Sequence, residues 1–171
     1  MNKIGFDGGG LLCELGPRAD VMLFFDCLRT YVQQAHPERD WSLLLDRLYR
    51  RYLRLEELAE AKVLMEQVRQ IFAKLPAASA VAWNDISADK RGQSWLNPNQ
   101  PTLADVFCKY FEHFASCADS AQLNYDTFKS YPGYSYEPVR LVVADLPEFI
   151  RDKNKPLADY DSLEGEPFWL R

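Results

Sequence analysis

Histidine is the scarcest chemistry-bearing residue here: only His36 and His113 occur in 171 residues. A catalytic triad or a His-based zinc site has to use one of them. His36 precedes Pro37 at the end of an expected helix, where an imidazole ordinarily meets the last carbonyls. The pair Glu112-His113 by itself carries no metal or catalytic signature. Four cysteines, Cys13, Cys27, Cys108 and Cys117, form no C-x-x-C pair, so reduced, partly buried thiols are expected. No apolar run approaches the ~20 residues that span a bilayer. The opening MNKIGFDGGG lacks the apolar stretch of a signal peptide, and a cytoplasmic protein is expected. The run Gly8-Gly9-Gly10 is followed by a strand-like segment and by no Gly-Lys-Ser/Thr, which excludes a phosphate-cradling P-loop. No serine lies in a G-x-S-x-G context. A site made only of carboxylates leaves no distinctive spacing and stays open. No catalytic residue, metal ligand or cofactor is assigned.

What is present is the composition of an ordinary soluble domain, 47% apolar and 26% charged. The length supports one domain with a sizeable core. Twenty Lys and Arg stand against twenty-five Asp and Glu, a formal net charge of −5. That balance argues against general nucleic-acid binding and suits a basic protein partner.

The strongest periodicity runs from Asp40 to Pro76. Leu44, Leu45, Leu48, Tyr49 and Tyr52, then Leu55, Leu58, Ala61, Met65, Val68, Phe72 and Leu75, recur at three-and-four spacing. The apolar phase shifts near Leu53 to Leu55, and Glu56-Glu57 supply an acidic first turn. Two helices follow, about 40–53 and 55–75, with the stripe of Leu58, Met65, Val68 and Phe72 expected to pack on Phe24, Leu28, Phe107 and Phe111. The row Arg47, Arg50, Arg51 and Arg54 reads as an ion-paired helix face, with phosphate binding the alternative.

Around this hairpin the other elements fall in order. Residues 3–7 and 11–15 flank the glycines as a β-hairpin, with Gly16-Pro17 expected to break its second strand. Ala19 to Ala35 carries Val21, Phe24, Phe25, Leu28, Tyr31 and Val32 on one helical face. Val81-Ala82-Trp83 is a possible strand. The segment 84–101 is a polar loop that Trp95-Leu96 should pin to the core. Thr102 caps a further helix with Asp105 in a capping box, and Leu103, Val106, Phe107, Tyr110, Phe111 and Phe114 form its apolar face. Helical character is expected to continue from Ser120 to Phe128. Val139 to Ala144, β-branched and apolar throughout, reads as a strand buried on both faces. These elements predict an α+β fold: one helix-rich domain over 1–171 with a small antiparallel or mixed β-sheet, and 131–171 as an additional C-terminal strand and arm.

The order of several residues resembles the immunity proteins of bacterial polymorphic-toxin and contact-dependent growth inhibition systems, most closely the immunity protein 70 family. The residues that carry the likeness are Glu14-Leu15-Gly16, Phe24-Phe25, Trp41, Leu45, Leu48-Tyr49 and Glu56-Glu57-Leu58 with Ala61 and Leu64. Val68-Arg69, Leu75-Pro76, Val81-Ala82-Trp83, Asp85-Ile86, Trp95 and Tyr110-Phe111 follow in matching order. The likeness spans residues 4–128 and does not reach 131–171. It implies a cytoplasmic protein that binds and neutralises the C-terminal domain of one cognate toxin, often a nuclease. It implies no catalytic residues, cofactor, direct nucleic-acid contact or membrane contact.

An acidic inhibitor would complement the basic cleft of a nuclease. The C-terminal third interleaves acids with aromatic rings, and the partner-binding surface is expected there: Tyr131, Tyr134, Tyr136, Asp159, Tyr160, Asp161, Glu164, Glu166 and Trp169. The competing reading of that segment is an arm packed over the domain. The alternative functions are an enzyme with a carboxylate-based site, holding a phosphate-bearing substrate on the arginine row, and a plain adaptor domain.

Overall fold

A computed structural model describes residues 3–79, 93–145, 149–150, 156–161 and 165–170. The possible strand Val81-Ala82-Trp83 and the loop up to residue 92 lie outside the described residues.

The fold is α+β: a three-stranded antiparallel sheet, order β2-β1-β3, with helices packed on it. Strand β1 (Lys3–Asp7) is central, flanked by β2 (Leu12–Pro17) and β3 (Arg140–Val143). Phe6 lies opposite Cys13 on one side and Leu141 on the other. All four residues of β3 are buried, as its apolar run predicted. Strand β2 does not break at Gly16-Pro17. The register shifts where Ile4 opposes Gly16 and Gly5 opposes Glu14, leaving Leu15 as an extra residue, and pairing resumes with Lys3 opposite Pro17. Gly16 has φ 134, which a side chain rarely adopts, and Pro17 is tolerated because β2 is an edge strand.

Helix α1 (Arg18–Leu28) continues into a π-helical segment, Arg29–Gln33. The predicted 40–53 helix is helical from 42 to 50, mostly as a π-helical segment, Leu43–Leu48. Its end has a definite cause. Leu53 and Val139 exchange backbone hydrogen bonds of 2.7 and 3.2 Å, adding an isolated antiparallel bridge to that edge of the molecule. This bridge falls where the apolar phase shifts. A 3-10 turn, Leu55–Glu57, then leads into α2 (Leu58–Phe72), and the Glu57 carboxylate accepts from the Arg54 N–H at 2.8 Å.

Thr102 caps α3 (Leu103–Val106) through the predicted box: Asp105 N–H donates to Thr102 Oγ1 at 3.2 Å, and Thr102 N–H donates to the Asp105 carboxylate at 3.1 Å. After Phe107 the chain continues as α4 (Cys108–Phe128), the longest helix described. The predicted stripe Leu58, Met65, Val68 and Phe72 is buried. Phe72 meets Phe24, Phe107 and Phe111 at ring distances of 6.0, 6.1 and 6.0 Å. Phe24 is the centre of this cluster, since it also meets Phe25, Tyr110, Phe107 and Phe111. Such edge-to-face pairs add about 0.5–1.5 kcal/mol each beyond area burial.

Helix α4 joins this core to the sheet. Phe114 packs edge-on against Phe6 at 5.7 Å, and Cys117 lies over the hairpin with its thiol 3.4 Å from the Phe6 carbonyl oxygen. A Cβ on Gly8 would fall 2.4 Å from the Cys117 carbonyl oxygen, so glycine is needed there for the helix to approach. Burial, and the neighbouring Cys13, push the Cys117 thiol far up, so it stays protonated. All four cysteines are free thiols.

Two buried carboxylates fix the periphery to this frame. Asp7 accepts from Arg140 Nε at 3.1 Å and from the Gly9 N–H at 3.0 Å. Asp20 accepts from Ser94 Oγ at 2.7 Å and from the Trp95 N–H at 2.8 Å. For the described part of that segment, residues 93–101, the expected pin holds, through the Trp95 backbone and a half-buried Leu96. The Trp95 ring itself stays 44% exposed.

Candidate partner-binding surface

The residues expected to meet a partner divide into two groups with opposite environments. Tyr160 and Trp169 are each 1% exposed, which corrects their placement on the surface. Tyr160 in α5 (Leu157–Asp161) lies beside Phe168 at 4.4 Å and Tyr52 at 6.4 Å, and the Arg140 guanidinium stacks on it at 4.7 Å. Trp169, in the 3-10 turn Phe168–Leu170, donates from Nε1 to the Tyr49 carbonyl at 2.8 Å and packs on the Tyr49 ring at 5.6 Å. Both rings are large apolar bodies with one polar handle, and burial with that handle satisfied is more favourable than exposure. The arm packed over the domain is thus the reading that holds for these two residues. Asp159 and Glu166 remain exposed on the arm. The Asp161 side chain and all of Glu164 lie outside the described residues.

The second group lies at the far end of α4 and in the turn after it. Tyr131 is 62% exposed, and Tyr134 is half-buried. Both lean on Phe128, at 5.8 and 5.9 Å between ring centres. Phe128 itself is 42% exposed, and Leu123, one helical stretch earlier, is 66% exposed. Desolvation raises the Tyr134 phenol, with the charge of Glu137 adding to it. Tyr136 belongs elsewhere: it is half-buried, and besides desolvation its phenol responds to Glu56, Arg54, Glu57 and Arg47 near the start of α2. Sequence reasoning found Tyr131 and Tyr134 but missed Phe128 and Leu123. Phe128 follows Phe114 and Ala121 in steps of seven, in phase with the buried stripe, and so looks like core.

The remaining candidates are placed as follows. Arg47 lies 3.6 Å from Glu57 and over the Tyr52 ring at 5.3 Å, and Arg50 lies 3.9 Å from Asp46. For Arg47 and Arg50 these contacts match the ion-paired reading of the arginine row. An open groove of about 550 Å³ runs beside it, lined by Arg29, Arg39, Asp40, Trp41, Asp46 and Arg50 among others. His36 Nδ1 is 3.5 Å from Glu38. His113 is half-buried, and its pKa is lowered chiefly by desolvation and then by Lys109. Among the described residues, no group of three or more His, Cys, Asp or Glu is placed to hold a metal. Among them, too, no helix is long and apolar enough to cross a membrane.

Comparison of the chain with family models, with curated proteins and with solved structures gave no match. The likeness to the immunity protein 70 family therefore rests on the residues quoted for it above.

Proposed function

We propose that this chain is a cytoplasmic immunity protein that binds the C-terminal domain of a cognate toxin, a basic and nuclease-like domain, and neutralises it by direct contact without catalysis of its own. The observation that carries this reading is the pair of exposed rings Phe128 and Tyr131, 5.8 Å apart at the end of α4, on an acidic chain. Isolated exposed apolar residues are common on any protein. Exposed aromatic rings packed against one another are what interfaces use for anchors. The net charge of −5 supplies a field that draws a basic partner in and speeds association. The order of residues shared with the immunity family supports the same conclusion.

The test is protection. Cells producing the toxin domain encoded beside this chain should survive when the chain is co-produced, and the two purified proteins should form a stable complex. Cell death at full expression of a folded chain would sink the reading. His36→Ala and His113→Ala should both still protect, because neither imidazole is assigned a chemical role.

A further inference from the structure

Two of the free thiols meet between the β1–β2 hairpin and α4. Phe6 of β1 turns its ring toward α4, against Phe114. Cys13 of β2 stands directly opposite Phe6. Residues directly opposite in an antiparallel pair point to the same face of the sheet, so the Cys13 side chain also faces the helix. Cys117 follows Phe114 by one turn on the same face of α4. Its thiol lies 3.4 Å from the Phe6 carbonyl oxygen and 3.8 Å from that of Leu11, and it shares a hydrogen bond with the Cys13 side chain. The helix comes this close because Gly8 has no side chain: a Cβ there would fall 2.7 Å from the Cys117 Cα.

The two thiols differ in access. Cys13 is half-buried and open to solvent on one side, whereas Cys117 is fully buried and held protonated. A thiol is oxidised as its thiolate, so Cys117 alone is inert and Cys13 is where an oxidant enters. We propose that Cys13 and Cys117 are a disulfide-forming pair, which a hydroperoxide converts into a covalent clamp between β2 and α4. In the first step, with hydrogen peroxide, the Cys13 sulfur attacks the peroxide, the O–O bond breaks, and Cys13 sulfenic acid and water are formed. In the second, the Cys117 sulfur attacks the sulfenic sulfur, the S–O bond breaks, and the Cys117 proton leaves with that oxygen as a second water. Two thiols lose two electrons, and one hydrogen peroxide gains them. The bond closes a loop of about 100 residues, which restricts the unfolded chain far more than the folded one. Cys108 is a poorer partner: it sits at the start of the same helix, about 13 Å from Cys117 along the axis, beyond the span of a disulfide. Cys27 is fully buried in α1. This site is independent of the immunity reading.

The experiment takes the full chain alone, reduced and then exposed to hydrogen peroxide, both folded and in denaturant. Peptide mapping without reductant should find a Cys13–Cys117 link that forms at least about 10-fold faster in the folded chain, where the sulfurs are already together. Reductant should remove it. The oxidised chain should melt roughly 10 °C above the reduced one. Cys108→Ser should behave like wild type, while Cys13→Ser should form no internal link and show no rise in melting temperature. If Cys13→Ser does not fold, the wild-type peptide map decides the question by itself. Cys13 carried to the sulfinic acid with no linked peptide would overturn the proposal, as would a link that forms no faster in the folded chain than in denaturant. A bond between Cys108 residues of two chains as the sole product would overturn it too. A linked chain that melts below the reduced one would contradict the clamp, because the bond would then distort the packing it is meant to hold.

Discussion

The two halves of α4 carry similar side chains in opposite surroundings. Tyr110, Phe111 and Phe114 in the first half are buried against Phe24, Phe72 and Phe6. Beyond it, Tyr125 is half-buried with Lys129 over its ring, while Phe128 and, just past the helix, Tyr131 are exposed and lean on one another. Residue type does not separate the halves. What separates them is reach: the sheet and α2 fully bury side chains of the helix as far as Ala121, and beyond it Asn124, beside Gly10, and Tyr125 are half-buried. An aromatic ring inside that reach contributes to folding, and one beyond it is free to contribute to recognition.

The sharpest test of this contrast uses one residue type in both halves. Phe114→Ala, at a site 1% exposed, should cost about 3–5 kcal/mol in denaturant unfolding. Phe128→Ala should change stability by no more than about 0.5 kcal/mol. Equal losses would mean that the far end of α4 is part of the core after all. The C-terminal arm gives the next comparison. Trp169→Ala removes a buried ring and leaves the Tyr49 carbonyl without its indole donor, so stability should fall by about 3 kcal/mol. Its toxin affinity, measured below the new melting transition, should not change. A stable Trp169→Ala variant with weakened binding would return the arm to the interface.

A smaller effect should come from the third region, the segment held by Asp20. Burial raises the Asp20 carboxyl above 3.8, against the hydrogen bonds from Ser94 and Trp95 that pull it down. The folded chain therefore binds this proton more tightly than the unfolded chain. Its contribution to stability is present below 3.8 and is lost as pH rises through the folded value, then levels off. Asp20→Asn should flatten that part of the curve of unfolding free energy against pH. An equally steep fall in the variant would assign the dependence to other groups.

Much of the frame was legible in the residues because it obeys local rules. The stripe from Leu58 to Phe72, the Thr102–Asp105 capping box and the apolar run at β3 each follow from side-chain period or hydrogen-bonding chemistry that a short window contains. The failures share a different cause. Gly16-Pro17 looks like a strand end, but an extra residue at Leu15 lets pairing resume at Pro17. Tyr160 and Trp169 alternate with acids, which reads as surface. Their rings turn inward because Tyr49, Tyr52 and Arg140, more than a hundred or a few tens of residues away, offer them partners. Phe128 is in phase with the buried stripe, and only the three-dimensional extent of the core shows that the helix has outrun it. Of the proposed binding surface, the tyrosines of the turn were legible as composition, and the exposure of Phe128 beside them was not.

The most direct measurement is hydrogen–deuterium exchange of the chain alone and mixed with the toxin domain. Alone, the amides between 122 and 134 should exchange faster than those from Tyr110 to Ala121, because the latter lie under fully buried side chains. In the complex, 122–134 should become slow and the first half of α4 should be unaltered. New protection confined to the arm, or to the groove by Trp41, with 122–134 still exchanging at the free rate, would contradict a recognition role for the far end of this helix.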